Sequence, residues 1–567
     1  MDLPGSIGFG WYMDLSAWAY IMVPILLTMI MGSFFSSSIL KKVLLYYALV
    51  IFIILSGIHS ADCELYPNWG YRIDITSFSY LGEVQEAGKF LTLKMILVFL
   101  GSFVFHLTLC WWATRKWIHM VPKIYTWPSR IMLLVLLPLL IIPMRGGIGL
   151  APLNPSFVYF SKNFFSNHVA LNPAWNLVYT YILKNKPTSS YTFYDNNFAL
   201  ATFDSLFNYD KNARLDFIKS DTPNIIFIIL ESFTANIIHQ SYRGITITPQ
   251  FNEWTKRGFY YKNTYGSGER TDKGIVAIMS GYPAQPQSSI MLNPSKSDKL
   301  PSIPKSLRAL NYNCGFYYGG DINFSNLKSY VLSSGFDYII DKTNFSSTSY
   351  NAKWGVHDHI VFEKLAKDID KLKSPFLVSI LTLSSHPPYD IPVVKTWQGM
   401  EEEVQFLNAA HYADQGFGNF MEELQKKEIW KNLVVIIVAD HGGRFPGNMS
   451  YERPEKFKIP MIWTGGAITK DSIIHELVSQ TDIASSLLSQ LNIPNNDFNF
   501  SRNLFSNTYA PFAYYAFNNG LGWLDDDGLN VYSLDKNEIV IQEGNPISKE
   551  INIKCFLQVL MDDFHAR

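Results

Sequence analysis

The residues best suited to chemistry in this chain are acids, histidines and one threonine, each placed where an element begins or ends. Asp440-His441-Gly442-Gly443 follows the apolar run Leu433 to Ala439. It puts two metal-competent side chains side by side, with glycines that permit close backbone approach. Glu231 follows the apolar run Asn224 to Leu230, and His386 lies just beyond the run Phe376 to Leu383. A single carboxylate after a strand is most often a helix cap or a solvated turn. Three runs each ending in ionisable side chains make a shared site the better reading.

The second constellation is Gly266-Ser267-Gly268-Glu269-Arg270-Thr271-Asp272-Lys273-Gly274, ahead of Ile275 to Gly281, which reads as the start of a helix. Thr271 there has a bland role as a cap. It also has a chemical one. A helix N-terminus offers free N–H groups and positive dipole to a phosphate. A hydroxyl bound there to a divalent cation becomes a nucleophile. Arg270 and Lys273 would add positive charge for an anionic substrate.

Positioning these residues takes an α/β frame. The continuous Ile- and Val-rich runs, with Ile459 to Thr464 as a fourth, are typical of strands buried on both faces. Helical segments such as Val361 to Leu372 and Ala410 to Lys426 lie between them. That alternation predicts a mainly parallel central sheet, whose ligands bind beyond the carboxyl ends of the strands.

The first quarter of the chain is different. Leu15 to Gly32, Val43 to Ile58, Met95 to Ala113 and Ile131 to Met144 are apolar and uncharged, and predict about four spanning helices in an α-helical membrane domain over residues 1–145. Lys41 and Lys42 fall between the first two, and Arg115, Lys116, Lys123 and Arg130 between the last two. The middle loop carries Asp62, Glu64, Asp74, Glu83 and Glu86 against Arg72 and Lys89. The excess of basic residues puts the outer two loops in the cytoplasm, and hence both Met1 to Asp14 and everything after Arg145 outside. Residues 146–216, rich in Asn, Ser, Pro and aromatics, read as an ordered connector to a catalytic domain over 217–567.

Composition fits this division. Of 567 residues, 17% are charged and 15% aromatic, and the formal net charge is -1. That balance argues against a nucleic-acid partner. The four cysteines, Cys63, Cys110, Cys314 and Cys555, form no zinc or redox motif, and a Cys314–Cys555 disulfide is not favoured.

Glu231, Thr271 and Asp440-His441, in that order, resemble the alkaline phosphatase superfamily. Gly281-Tyr282-Pro283, Trp354-Gly355-Val356-His357-Asp358, Ser384-Ser385-His386-Pro387-Pro388-Tyr389 and Ala413-Asp414-Gln415 narrow the likeness to the lipoteichoic acid synthase-like branch of the sulfatase-type enzymes. The resemblance covers roughly Asn224 to Leu491, and the membrane anchor extends it. It implies an alkaline phosphatase-like (sulfatase-like) fold in which Glu231, Thr271, Asp440 and His441 bind one divalent cation, Mn, Mg or Zn. It implies a transferase in which Thr271 attacks the phosphorus of a phospholipid donor and diacylglycerol leaves. The phospho-threonine then passes to an envelope glycan, lipid or glycerol-phosphate acceptor. His386 would help bind or protonate phosphate oxygens, and Asp321, in Gly319-Gly320-Asp321-Ile322-Asn323-Phe324, would contact the substrate. Lipoteichoic acid synthases carry Trp and Arg after the matching Phe, where this chain has Ser325-Asn326-Leu327, so phosphoethanolamine competes with phosphoglycerol as the group moved. A formylglycine sulfatase is disfavoured, because no Cys or Ser sits in the setting that class needs. The alternatives are a phosphodiesterase or phosphatase with the same site, or a non-catalytic membrane sensor or scaffold. The implied location is a bacterial-type inner or plasma membrane, multi-pass, with the catalytic domain periplasmic or extracellular. His357 and His359, flanking Asp358 at a helix start, are expected to serve surface or capping roles, and Trp354 to be packing.

Overall fold

The computed structural model describes residues 2–32, 37–69, 71–75, 93–117, 126–184, 191–350, 352–518, 520–544 and 547–567. The chain divides into two compact units, Met1–Pro187 and Thr188–Arg567, so the boundary falls inside the stretch expected to be a connector.

In the first unit, α1 (Leu3–Gly32), α2 (Ser37–Trp69) and α3 (Leu93–Trp117) are long, and α4 (Trp127–Leu139) runs on into the short α5 (Ile141–Arg145). Among the described residues, four stretches, Leu3–Gly32, Ile39–Pro67, Ile96–Lys116 and Trp127–Arg145, are long and apolar enough to cross a membrane. Large apolar side chains such as Val104, Phe105, Leu134 and Val135 are more than half exposed, as a lipid-facing surface would be.

Two expectations change here. The first helix begins at Leu3, ahead of the apolar run expected from Leu15, and Asp62 and Glu64 lie within α2 rather than in a loop. Asp62 is buried, pairs with Arg72, and accepts from the Ile73 N–H at 2.7 Å. Glu83, Glu86, Lys89 and Lys123 lie outside the described residues.

The second unit is built on an eight-stranded sheet. Its strands are β1 (Asn224–Leu230), β2 (Phe259–Tyr265), β3 (Asn313–Tyr318), β4 (Tyr338–Ile340), β5 (Phe376–Leu381), β6 (Leu433–Ala439), β7 (Lys458–Thr464) and β8 (Ser472–Ser479). They lie in the order β8-β2-β7-β6-β1-β5-β3-β4. Every residue of β1, β5 and β6 is buried, which is why these strands are apolar throughout. Only β7 runs antiparallel to its neighbours, β2 and β6. A second, four-stranded antiparallel sheet, β9 (Phe512–Phe517), β10 (Gly520–Asp525), β11 (Gly528–Ser533) and β12 (Glu538–Gly544), was not anticipated from the sequence. It meets the loop before Thr271 through a bridge between Gly268 and Ala516. The four cysteines are free.

Candidate active site

Register brings the acids together. β1 and β6 pair in parallel with Leu230 opposite Ala439, so the next residues, Glu231 and Asp440, leave adjacent strands at the same level. On the other side of β1, Thr382 follows β5, and its hydroxyl accepts from the Glu231 N–H at 2.8 Å. Glu231 and Asp440 are almost fully buried, and potential ligand atoms of Glu231, Asp440 and His441 lie within 4.8 Å of one another.

The helix α6 (Thr271–Ser280) delivers the hydroxyl. Thr271 Oγ1 donates to Glu231 Oε2 at 3.1 Å. Gly274, in the first turn, makes this approach possible. A Cβ on it would stand 1.9 Å from the Asp440 carbonyl oxygen, so no other residue lets the helix press so closely on that strand end.

Ser232 ties the cluster together. It has φ of 51°, in the left-handed region that non-glycine residues adopt only at a cost. In that conformation its N–H donates to Asp440 Oδ1 at 2.8 Å and its hydroxyl to Glu231 Oε1 at 2.8 Å. The His441 N–H also donates to Asp440 Oδ1, at 2.7 Å. Asp440 Oδ2 is left buried without a hydrogen-bond partner. Two buried acids, a histidine and a threonine hydroxyl around one unsatisfied carboxylate oxygen fit a divalent cation with oxygen and imidazole ligands.

Electrostatics agree with that fit. Burial pushes the Asp440 carboxyl up, and the neighbouring Glu231 charge adds to the rise. Burial would raise Glu231 too, but the His441 hydrogen bond and charge, then His386, outweigh it and hold Glu231 ionised. Burial disfavours a charged His441, yet Asp440 and Glu231 raise it to about 10. Its Nε2 stands 3.6 Å from Glu231 and 3.7 Å from Asp440, the length of a loose ion pair. The two acids thus favour the charged form of His441.

The remaining expected residues are less tightly joined. Arg270 is exposed at the N-cap position of α6, and Asp321 pairs with Lys342 at 2.9 Å. No hydrogen bond or ion pair links either to the cluster among the described residues. Lys273 does not offer a free charge as expected: it is buried and paired with Glu269 at 3.1 Å. His357 departs from its expected surface or capping role, since its side chain is buried and makes no capping bond.

Sequence reasoning missed Gln480. Its side chain is fully buried, and its amide nitrogen donates to the carbonyls of Ala439 at 2.8 Å and Asp440 at 2.7 Å. Its oxygen accepts from the Ser267 N–H at 3.2 Å. One amide therefore links the strand end that carries Asp440 to the loop that leads into Thr271. It lies some forty residues beyond Asp440, with no local motif to mark it.

The sulfatase family model matches residues 223–493. Among curated proteins, lipoteichoic acid synthase 2 of Bacillus subtilis (strain 168) is 24% identical over 317 residues, covering 51% of this chain and 48% of that protein. The lipoteichoic acid synthase of Staphylococcus aureus (strain bovine RF122 / ET3-1) is 27% identical over 266 residues, 43% of this chain and 41% of that one. The chain spans about half the length of the curated relatives it matches, or somewhat less. Solved structures that share the fold include two with similar coverage. One is a protein of the alkaline phosphatase superfamily from Vibrio parahaemolyticus, with TM-score 0.58 and 23% identity over 66% of this chain and 97% of that one. The other is the lipoteichoic acid synthase LtaP from Listeria monocytogenes, with TM-score 0.54 and 18% identity over 65% and 98%.

Proposed function

We propose that this chain, a lipoteichoic acid synthase-like member of the alkaline phosphatase superfamily, moves a phosphoglycerol or phosphoethanolamine head group from a phospholipid to an acceptor hydroxyl of the cell envelope. The observation that carries this reading is the Thr271 hydroxyl, 3.1 Å from Glu231 at a buried Glu–Asp–His cluster.

Glu231, Asp440, His441 and Thr271 would hold one divalent cation, Mn, Mg or Zn. Such an ion, when bound, favours the alkoxide form of a hydroxyl beside it and offsets phosphate charge. Thr271 Oγ1 then attacks the phosphorus of the donor. The Thr271 O–P bond forms, the bond from phosphorus to the diacylglycerol oxygen breaks, and diacylglycerol leaves with a proton. His386 would contact phosphate oxygens or supply that proton. An acceptor hydroxyl repeats the displacement, and Thr271 regains its hydrogen. Arg270 and Asp321 are the candidate contacts to the anionic and polar parts of the substrate. The apolar helices of the first unit would hold the chain in a bacterial-type membrane, with the catalytic unit periplasmic or extracellular.

Labelled phosphatidylglycerol and phosphatidylethanolamine test the reading. Diacylglycerol plus a labelled new phospho-acceptor is expected. Diacylglycerol with only free phospho-alcohol would make the protein a hydrolase, and no diacylglycerol from either lipid would refute the reading.

A further inference from the structure

We propose that His357, with Trp354 and Asp390, forms a subsite that reads the far end of the transferred head group, selecting a small terminus that donates hydrogen bonds, either hydroxyl or ammonium. The inference rests on the site assignment above and adds to it the chemistry of the group carried.

His357 precedes α7 (Asp358–Asp368) at the N-cap position, yet its side chain caps nothing. It is 2% exposed, and its Nδ1 is buried without a hydrogen-bond partner. Leaving a buried polar group unpaired is costly, so a hydrogen-bonding group beside it would be held. Beside it lies a cavity of about 10 Å³, room for one water-sized group. Trp354, Ser384, His386 and Asp390 share its lining with His357.

One wall of this cavity is fixed. The Trp354 ring meets His386 edge-on at 4.9 Å and Phe324 at 5.9 Å, and its N–H donates to the Pro387 carbonyl at 2.7 Å. His386 lines this cavity and lies four residues beyond Thr382, whose hydroxyl holds the Glu231 N–H. A phosphate oxygen at His386 leaves the alcohol part of the head group at the mouth of the cavity.

The lining then selects. Ser384 Oγ already accepts from the Asp358 N–H at 3.4 Å. The Asp390 carboxylate is an acceptor when ionised, and neutral His357 can accept at Nδ1. A hydroxyl or primary ammonium satisfies such a lining. A methyl terminus leaves it unsatisfied, and a trimethylammonium group exceeds the space.

Calorimetry on the full chain with Mn²⁺ tests this, using glycerol 1-phosphate, phosphoethanolamine, ethyl phosphate and phosphocholine as probes. The first two are expected to bind about tenfold more tightly than ethyl phosphate, with phosphocholine weaker than either of them. His357→Phe should abolish that preference, and His357→Asn, whose amide occupies the Nδ1 position, should retain it. Equal affinity for all four probes, as for a cavity that only holds water, or a preference that survives His357→Phe, would overturn the proposal. Lack of lipid turnover with the binding preference intact would count against the transfer reading and leave the subsite standing.

Discussion

The side-chain amide of Gln480 donates to the backbone carbonyl of Asp440 at 2.7 Å while its oxygen holds the N–H of Ser267, so one buried residue links the acid cluster to the loop that leads into Thr271. Gln480→Ala would leave three backbone groups unpaired in the interior. Each unmade bond costs about 1–3 kcal/mol if nothing replaces it. The expected result is a lower unfolding temperature together with weaker Mn²⁺ binding, measured by thermal unfolding across a metal titration. Unchanged metal affinity in a folded variant would reduce Gln480 to a packing role.

Metal binding should depend on pH with a definite sign. In the metal-free site Asp440 is pushed up by burial and His441 is raised to about 10, so at neutral pH the site holds protons that an ion must displace. Apparent affinity therefore rises with pH toward about 10, and binding at pH 7 releases protons. Calorimetry in buffers of different ionisation enthalpy measures that release. Asp440→Asn should weaken binding by at least about 100-fold while the fold persists, because the sheet does not use that charge. Proton-independent binding would contradict this assignment of the cluster.

Topology gives a third outcome. With Lys41-Lys42 and Arg115-Lys116 on the cytoplasmic side, a reporter fused after Thr464 should be active only in the exported compartment. Cytoplasmic activity would contradict the proposed exported catalytic unit.

The features legible in the sequence were those dictated by local pattern. β1 and β6 were readable because strands covered on both faces must be apolar throughout, and Glu231 and Asp440 were readable because they end those runs. The antiparallel direction of β7 was not, since Lys458–Thr464 has the same composition either way round. The true extent of α2 was hidden because Asp62 looks like a loop residue until Arg72 is seen to neutralise it. Ser232 was in view, directly after Glu231, but nothing in a serine announces a left-handed backbone. Gln480 and the buried His357 depend on contacts far along the chain, which no local spacing encodes.

The nucleophile is the centre of the account. Thr271 is favoured over Ser267 and Thr264 because it alone of the three contacts the acid cluster, 3.1 Å from Glu231. The Ser267 hydroxyl is taken up by the Ala284 N–H at 2.8 Å, and Thr264 is fully buried in β2. Thr271→Ala should lower turnover by about four orders of magnitude, whereas Thr271→Ser should keep part of it. The most direct measurement is peptide mass spectrometry of the full chain after incubation with donor lipid and a slow acceptor. The phospho-alcohol is expected on the peptide that contains Thr271, with fragmentation placing it on that hydroxyl. Finding the group on Ser267 or Thr264, or finding Thr271→Ala as active as the unaltered chain, would contradict it.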